Sequence, residues 1–139
     1  MTSVVVDTNV VLSFLTDRNE TQQAQAASLF ETAGVEARFI IHQQVVTEMV
    51  YVLVNHYGQS RELVQSVVEE FLSFPGVEIL DAVRWSRVLK LWPGTHRDFT
   101  DAVLADAAMT VRSACVATFD EGFAKDLGRC GIATWEFPR

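Results

Sequence analysis

Hydrophobic positions along the chain alternate between short continuous runs and longer stretches with helical spacing. Val4–Val6, Arg38–Ile41, Val77–Leu80 and Ala114–Thr118 are short, rich in β-branched or apolar residues, and predict strands; Ile132–Thr134 predicts a weaker fifth. Helical spacing covers Asn9–Leu15, Thr21–Ala33, Val45–Tyr57, Arg61–Phe74, Ala82–Leu91 and Thr100–Arg112, with a short helix near Gly122–Leu127. Gly34, Gly58, "FPG" at 74–76, "WPG" at 92–94 and Gly128 punctuate these segments. Short apolar strands alternating with helices predict an α/β fold with a parallel sheet covered on both faces. In such sheets ligands bind beyond the C-terminal ends of the strands, where strand order switches. No repeat, low-complexity tract or linker interrupts the pattern, so residues 1–139 are expected to form a single domain.

Composition narrows the class without naming a function. A hydrophobic fraction of 49% with 21% charged residues belongs to a globular protein with a sizeable core. The longest apolar stretches are broken by Asp7, Glu48, Asn55 and Asp106, so no membrane span is expected. "MTSVVVD" lacks a basic region and a cleavage site, and is read as the first strand of a cytoplasmic protein. Cys115 and Cys130 lack the number and spacing of a zinc site, and Cys115, in "ACVATF", is expected to be a buried, reduced thiol. The net charge of −7 argues against a nucleic-acid partner, an objection that weakens if the carboxylates converge on cations.

Four acids break the local pattern. In "SVVVDTNVVLSFL", Asp7 stands where a buried strand hands over to a helix; a bare carboxylate there would cost several kcal/mol, roughly, unless paired, hydrogen-bonded or metal-bound. Glu48 sits in "VVTEMVYVLV", which reads as a buried helix; the competing reading places it on a solvated stripe with Gln44, Tyr51 and Asn55. In "HRDFTDAVLADAAM", Asp98 suits a helix N-cap and Asp101 the first turn, so capping alone accounts for one or both. Asp106 points to another side of that helix and is expected at the surface or in a local hydrogen bond. Asp120 follows the strand of "ACVATFDEGF" as Asp7 follows the first, with an N-cap or turn as its structural alternative and Glu121 exposed beside it. Together, Asp7, Glu48, Asp101 and Asp120 come from four segments of a fold whose strand ends form a cleft. Clustered carboxylates repel and call for a cation, and oxygen ligands without Cys or His suit Mg²⁺ or Mn²⁺. The expected chemistry is metal-assisted hydrolysis of a phosphodiester.

These segments resemble the PIN-domain family and, within it, the VapC-type toxin ribonucleases. "VVVDTNVVL" resembles the family's opening strand and first acid, "VVTEMVYVL" the helix of the second, "HRDFTDAVLADAA" the third and "VATFDEGFA" the fourth. The resemblance implies a PIN-like α/β/α sandwich with a mostly parallel sheet of four or five strands. It implies a Mg²⁺- or Mn²⁺-dependent endoribonuclease, a homodimer, and a cognate antitoxin whose tail enters the acidic cleft. Carried over by position, Asp7, Glu48 and Asp101 are core metal ligands and Asp120 a fourth acid, with Asp98 able to replace or assist Asp101. Thr8, Asn9 and Thr118 are expected in supporting roles, Thr8 having helix capping as its rival role. Arg97, beside the third acid, is favoured over Arg18 for holding RNA, and His96 is a candidate or an inert loop residue. The apolar faces of Val45–Val54 and Arg61–Phe74 are expected either at a dimer interface or in the core.

Two other α/β enzymes fit less well. A haloacid-dehalogenase-like phosphatase would carry a second Asp where Asn9 stands, and a response-regulator receiver would carry an acidic pair after the first strand. A non-catalytic PIN-like scaffold remains the alternative from another class.

Overall fold

The computed structural model describes all 139 residues. In chain order it contains β1 (Thr2–Val6), α1 (Thr8–Leu15), α2 (Glu20–Phe30), β2 (Ala37–His42), α3 (Gln43–Asn55), α4 (Arg61–Leu72), β3 (Val77–Leu80), α5 (Trp85–Leu91), α6 (Phe99–Thr110), β4 (Cys115–Ala117) and α7 (Glu121–Arg129). The four strands form one sheet in the order β3-β2-β1-β4, and every pairing is parallel. Val4, Val5 and Val6 are wholly buried because β1 has a strand on each edge and helices on each face.

Strand order dictates where a site can form. The chain steps outward from β1 to β2 to β3, then returns to place β4 on the other side of β1. Right-handed crossovers therefore carry α1–α4 over one face and α5–α6 over the other. The reversal falls between β1 and β4, so a crevice opens beyond their C-terminal ends. Asp7 follows β1 directly, and its backbone N–H donates to the Ala117 carbonyl at the end of β4 (2.9 Å).

A core of 27 buried residues fixes this frame. On the α1–α4 face, the Phe30 ring meets Phe14 at 4.5 Å, Phe39 at 4.8 Å, Phe71 at 5.8 Å and Phe74 at 5.9 Å between centroids. Such tilted and edge-on pairs add stability beyond area burial. A smaller cluster of Val88, Ala102 and Val103 joins α5 to α6. Gly76 turns the chain into β3 at φ 80° and lends its carbonyl to the Phe39 N–H (2.7 Å), which seats β3 beside β2.

Several sequence expectations are corrected. Ile132–Thr134 is no strand: Thr134 makes one isolated bridge to Val116, and the chain then leaves the edge of β4. Helix α3 is not buried all round. Val45, Met49 and Leu53 face the core, whereas Tyr51 is exposed and Val50 and Val54 line an open apolar groove against Val64 and Val68 of α4. Asp106 is not at the surface: it is 1% exposed, accepts from the Arg87 Nε (2.7 Å) and the Arg84 N–H (3.1 Å), and anchors the start of α5. Helix α5 begins three residues later than the apolar pattern predicts, after an extended segment at 81–84. Cys115 is a buried free thiol, as expected.

Candidate active site

A cavity of about 240 Å³ opens at the crevice between β1 and β4, and Asp7, Glu48, Asp98, Asp101 and Asp120 all line it, together with Thr8, Asn9, Arg18 and Thr100. Each acid reaches it for a local reason. Asp7 is the N-cap of α1 and accepts the Thr8 N–H (2.7 Å), which holds the carboxylate against the strand end. Asp98 caps α6 by accepting the Asp101 N–H (3.2 Å), and Asp101 occupies the first turn. Asp120 caps α7 by accepting the Phe123 N–H (3.0 Å), while its own N–H donates to Thr118 Oγ1 (3.0 Å). Capping and cleft-lining are thus simultaneous: each cap turns one carboxylate oxygen to the backbone, and at Asp98 and Asp120 it leaves the other without a partner.

Glu48 comes from the side of α3 that faces the cleft, not from its solvated stripe. Its two carboxylate oxygens accept hydrogen bonds from Thr8 Oγ1 (3.1 Å) and Thr100 Oγ1, so hydroxyls from α1 and α6 clamp it from opposite sides. Thr8 therefore orients Glu48, while the cap of α1 is Asp7. Thr118 donates to the second oxygen of Asp7 (2.7 Å), and Asn9 binds the same loop through the Phe119 N–H (3.2 Å) and Thr118 Oγ1 (3.5 Å). The supporting side chains tie the ends of β1 and β4 together.

The electrostatics follow from burial and like charge. Asp7 is 7% exposed, and burial pushes its carboxyl from 3.8 up to about 6 against the lowering effect of the Thr118 and Thr8 hydrogen bonds; Glu48 and Asp120 add repulsion. Asp101 is pushed up to about 8, first by burial and then by the charges of Asp7, Asp98, Asp120 and Glu48. Asp7 loses its proton first, and its charge then helps to hold Asp101 neutral near pH 7.

This donor set fits a hard divalent cation. All the candidate ligating atoms are carboxylate oxygens, and a cation would offset both the burial that chiefly raises Asp7 and Asp101 and the like charges that add to it. The acids are not drawn into a closed cage: no three His, Cys, Asp or Glu side chains stand close enough to hold an ion as placed.

The cations sort differently from their sequence order. Arg97, next to the third acid, is exposed and does not line the cavity; its carbonyl accepts from Trp92 Nε1 (3.0 Å). Arg18 is the cation on the cavity wall, fixed by Ser13 Oγ (3.1 Å) and the Asn9 carbonyl (2.7 Å). His96 is wholly buried against Phe123 and takes no part in the cavity. Thr100 is the cleft residue that sequence reasoning missed. Its signal was a hydroxyl in the first turn of α6, next to an acid already singled out.

The PIN domain family model matches residues 4–126, a span that includes all five acids. This chain belongs to the PIN-domain family. Among solved structures, this PIN domain is similar to VapBC2 from Rickettsia felis bound to a DNA fragment from their promoter, with a TM-score of 0.70 at 16% identity over 98% of this chain and 99% of that one. It is similar to VapBC-1 from nontypeable Haemophilus influenzae, with a TM-score of 0.66 at 16% identity and 96% of each chain covered. The PIN domain endonuclease Utp24 gives 0.53 at 19% identity, covering 90% of this chain and 76% of that one. Comparison with curated protein sequences gives no match. At these identities the likeness is one of fold, and the PIN fold is an α/β sandwich with a parallel sheet, as found here.

Proposed function

We propose that this PIN domain is a Mg²⁺- or Mn²⁺-dependent endoribonuclease and the toxin of a toxin–antitoxin pair. The observation that carries the reading is the convergence of Asp7, Glu48, Asp98, Asp101 and Asp120 at one strand-end crevice, with two of them held partly protonated by burial and mutual repulsion. Asp7, Glu48 and Asp101 would hold the cation, with Asp120 as a fourth acid and Asp98 beside Asp101. When bound, the cation supplies Lewis acidity, which activates water and stabilises charge on phosphoryl oxygens. The chain's own groups do the remainder. Thr8 and Thr100 fix both oxygens of Glu48, and Thr118 fixes Asp7. Asp101 gives up its proton as the site becomes occupied, so occupancy strengthens with pH. Arg18 brings a fixed positive charge to an otherwise anionic wall, where a backbone phosphate must approach.

The VapBC structures among those similar to this chain support an antitoxin partner; a homodimer is part of the same proposal. Two exposed apolar surfaces are available to protein partners: the groove between α3 and α4, and the stripe of Trp85, Leu89 and Trp92 along α5. No helix is long and apolar enough to cross a membrane.

The test is cleavage of single-stranded and structured RNAs by the antitoxin-free protein with Mg²⁺, Mn²⁺ or a chelator. Cleavage should require the cation, and Asp7→Asn should lower it by about 10²-fold or more, the order expected on removing a key charge-stabilising group. Cleavage that survives chelation, or that Asp7→Asn leaves intact, would overturn the proposal.

A further inference from the structure

A second polar cavity, of about 400 Å³, adjoins the acidic one and shares Asn9, Arg18 and Asp120 with it; Asn19, Gln22 and Phe119 complete its wall. Its hydrogen bonding is directional. Arg18 can only donate, so its Nε–H takes a lone pair of Ser13 Oγ (3.1 Å), and the single Ser13 hydrogen goes to Gln22 Oε1 (3.3 Å). That relay fixes the Gln22 amide with its carbonyl inward and its NH₂ free. Asn19 is fixed likewise, its Oδ1 accepting the Gln22 N–H (2.9 Å) and its NH₂ unengaged. A second hydrogen bond, from Arg18 Nη2 to the Asn9 carbonyl (2.7 Å), leaves Nη1 free at the junction of the two cavities. Arg18 makes no ion pair even though Asp120 lines the same wall. Apart from one oxygen of Asp120, whose other oxygen caps α7, the side-chain groups left to meet a ligand are donors. Phe119, packed on Phe137 at 4.6 Å, adds a partly exposed ring.

Resting on the endoribonuclease reading, we propose that this second cavity binds the nucleotide flanking the scissile phosphate and prefers guanine. Arg18 takes the connecting phosphate at the junction, Gln22 and Asn19 donate to the base edge, and Phe119 supports the ring. A set of outward-facing NH groups selects a base edge with two adjacent acceptors, which guanine offers at O6 and N7; adenine presents a donor beside its acceptor. Unpaired bases in single-stranded RNA leave that edge open to side chains.

Binding separates this proposal from the nuclease reading. Fluorescence anisotropy would be measured in chelator with Asp7→Asn protein and labelled oligouridylates carrying one central G, A, C or 7-deazaguanine, so that the cation contributes to none of the binding. The G oligonucleotide should bind about tenfold more tightly than the A, C or 7-deaza versions. Gln22→Leu should reduce that preference to about twofold or less, and Arg18→Ala should weaken every sequence through the lost phosphate contact and the G sequence most, because it also removes the relay that orients Gln22. Equal binding of all bases, a preference unchanged in Gln22→Leu, or no binding at all would overturn the subsite. Guanine-selective binding by a protein whose wild type cleaves no RNA would uphold the subsite and refute the nuclease reading.

Discussion

At the residue scale, the decisive feature is a carboxylate kept where it costs stability. Asp7 rises from 3.8 to about 6 mainly through burial, so the folded state holds its proton more tightly than the unfolded chain does. The sign follows: well below 3.8 both states are protonated and there is no penalty, and as pH rises from there toward 6 the folded state loses stability relative to the unfolded. The full shift corresponds to about 3 kcal/mol. Metal-free Asp7→Asn should therefore unfold at a higher temperature than wild type at pH 7, with the difference shrinking as pH falls and vanishing only below about pH 3; thermal melts in chelator check this. Equal melting at pH 7 would show that the native fold carries no strain at Asp7. That acid was legible in the sequence because a charge interrupts a run of valines at a strand end. Arg18 was legible only as second choice to Arg97, because nearness in sequence to an acid says nothing about where a side chain points once α5 and α6 have packed.

At the scale of elements, helix caps determine where the candidate site lies. Asp7, Asp98 and Asp120 each cap a helix that starts at the crevice, so the positions that begin α1, α6 and α7 also supply anionic groups to it. Asp106 has a different task. Its buried pairing with Arg87 pins α5 to α6 and ends the extended segment before α5. Removing it leaves Arg87 without its partner, so Asp106→Ala should cost about 3 kcal/mol in chemical denaturation, whereas replacing both residues by apolar ones of similar size should recover most of that. A loss below about 1 kcal/mol would contradict this role. The sequence pattern located every helix and all four strands, because most present an apolar face and glycine- or proline-containing turns separate them. It misjudged Asp106, whose partners at Arg84 and Arg87 lie 22 and 19 positions away, and it extended α5 across residues that Asp106 holds out of the helix. It also read Ile132–Thr134 as a strand, since a short apolar run at a sheet edge looks the same whether it pairs once or along its length.

At the scale of the whole molecule, an acidic chain is reconciled with the proposed nucleic-acid substrate by where its charge sits. Five carboxylates of a protein with net charge −7 face one crevice, beside a fixed arginine and a cavity rich in donors. The sheet order β3-β2-β1-β4 creates that crevice, and Thr8, Thr100 and Thr118 hold its acids in place. The central claim is that this crevice is a divalent-cation site, and calorimetric titration of Mn²⁺ into the antitoxin-free protein tests it most directly. Wild type should bind Mn²⁺ with release of protons, more tightly at pH 8 than at pH 6, as Asp101 at about 8 requires, and Asp7→Asn should lose the binding. Equal binding by wild type and Asp7→Asn, or none by either at pH 8, would contradict the account.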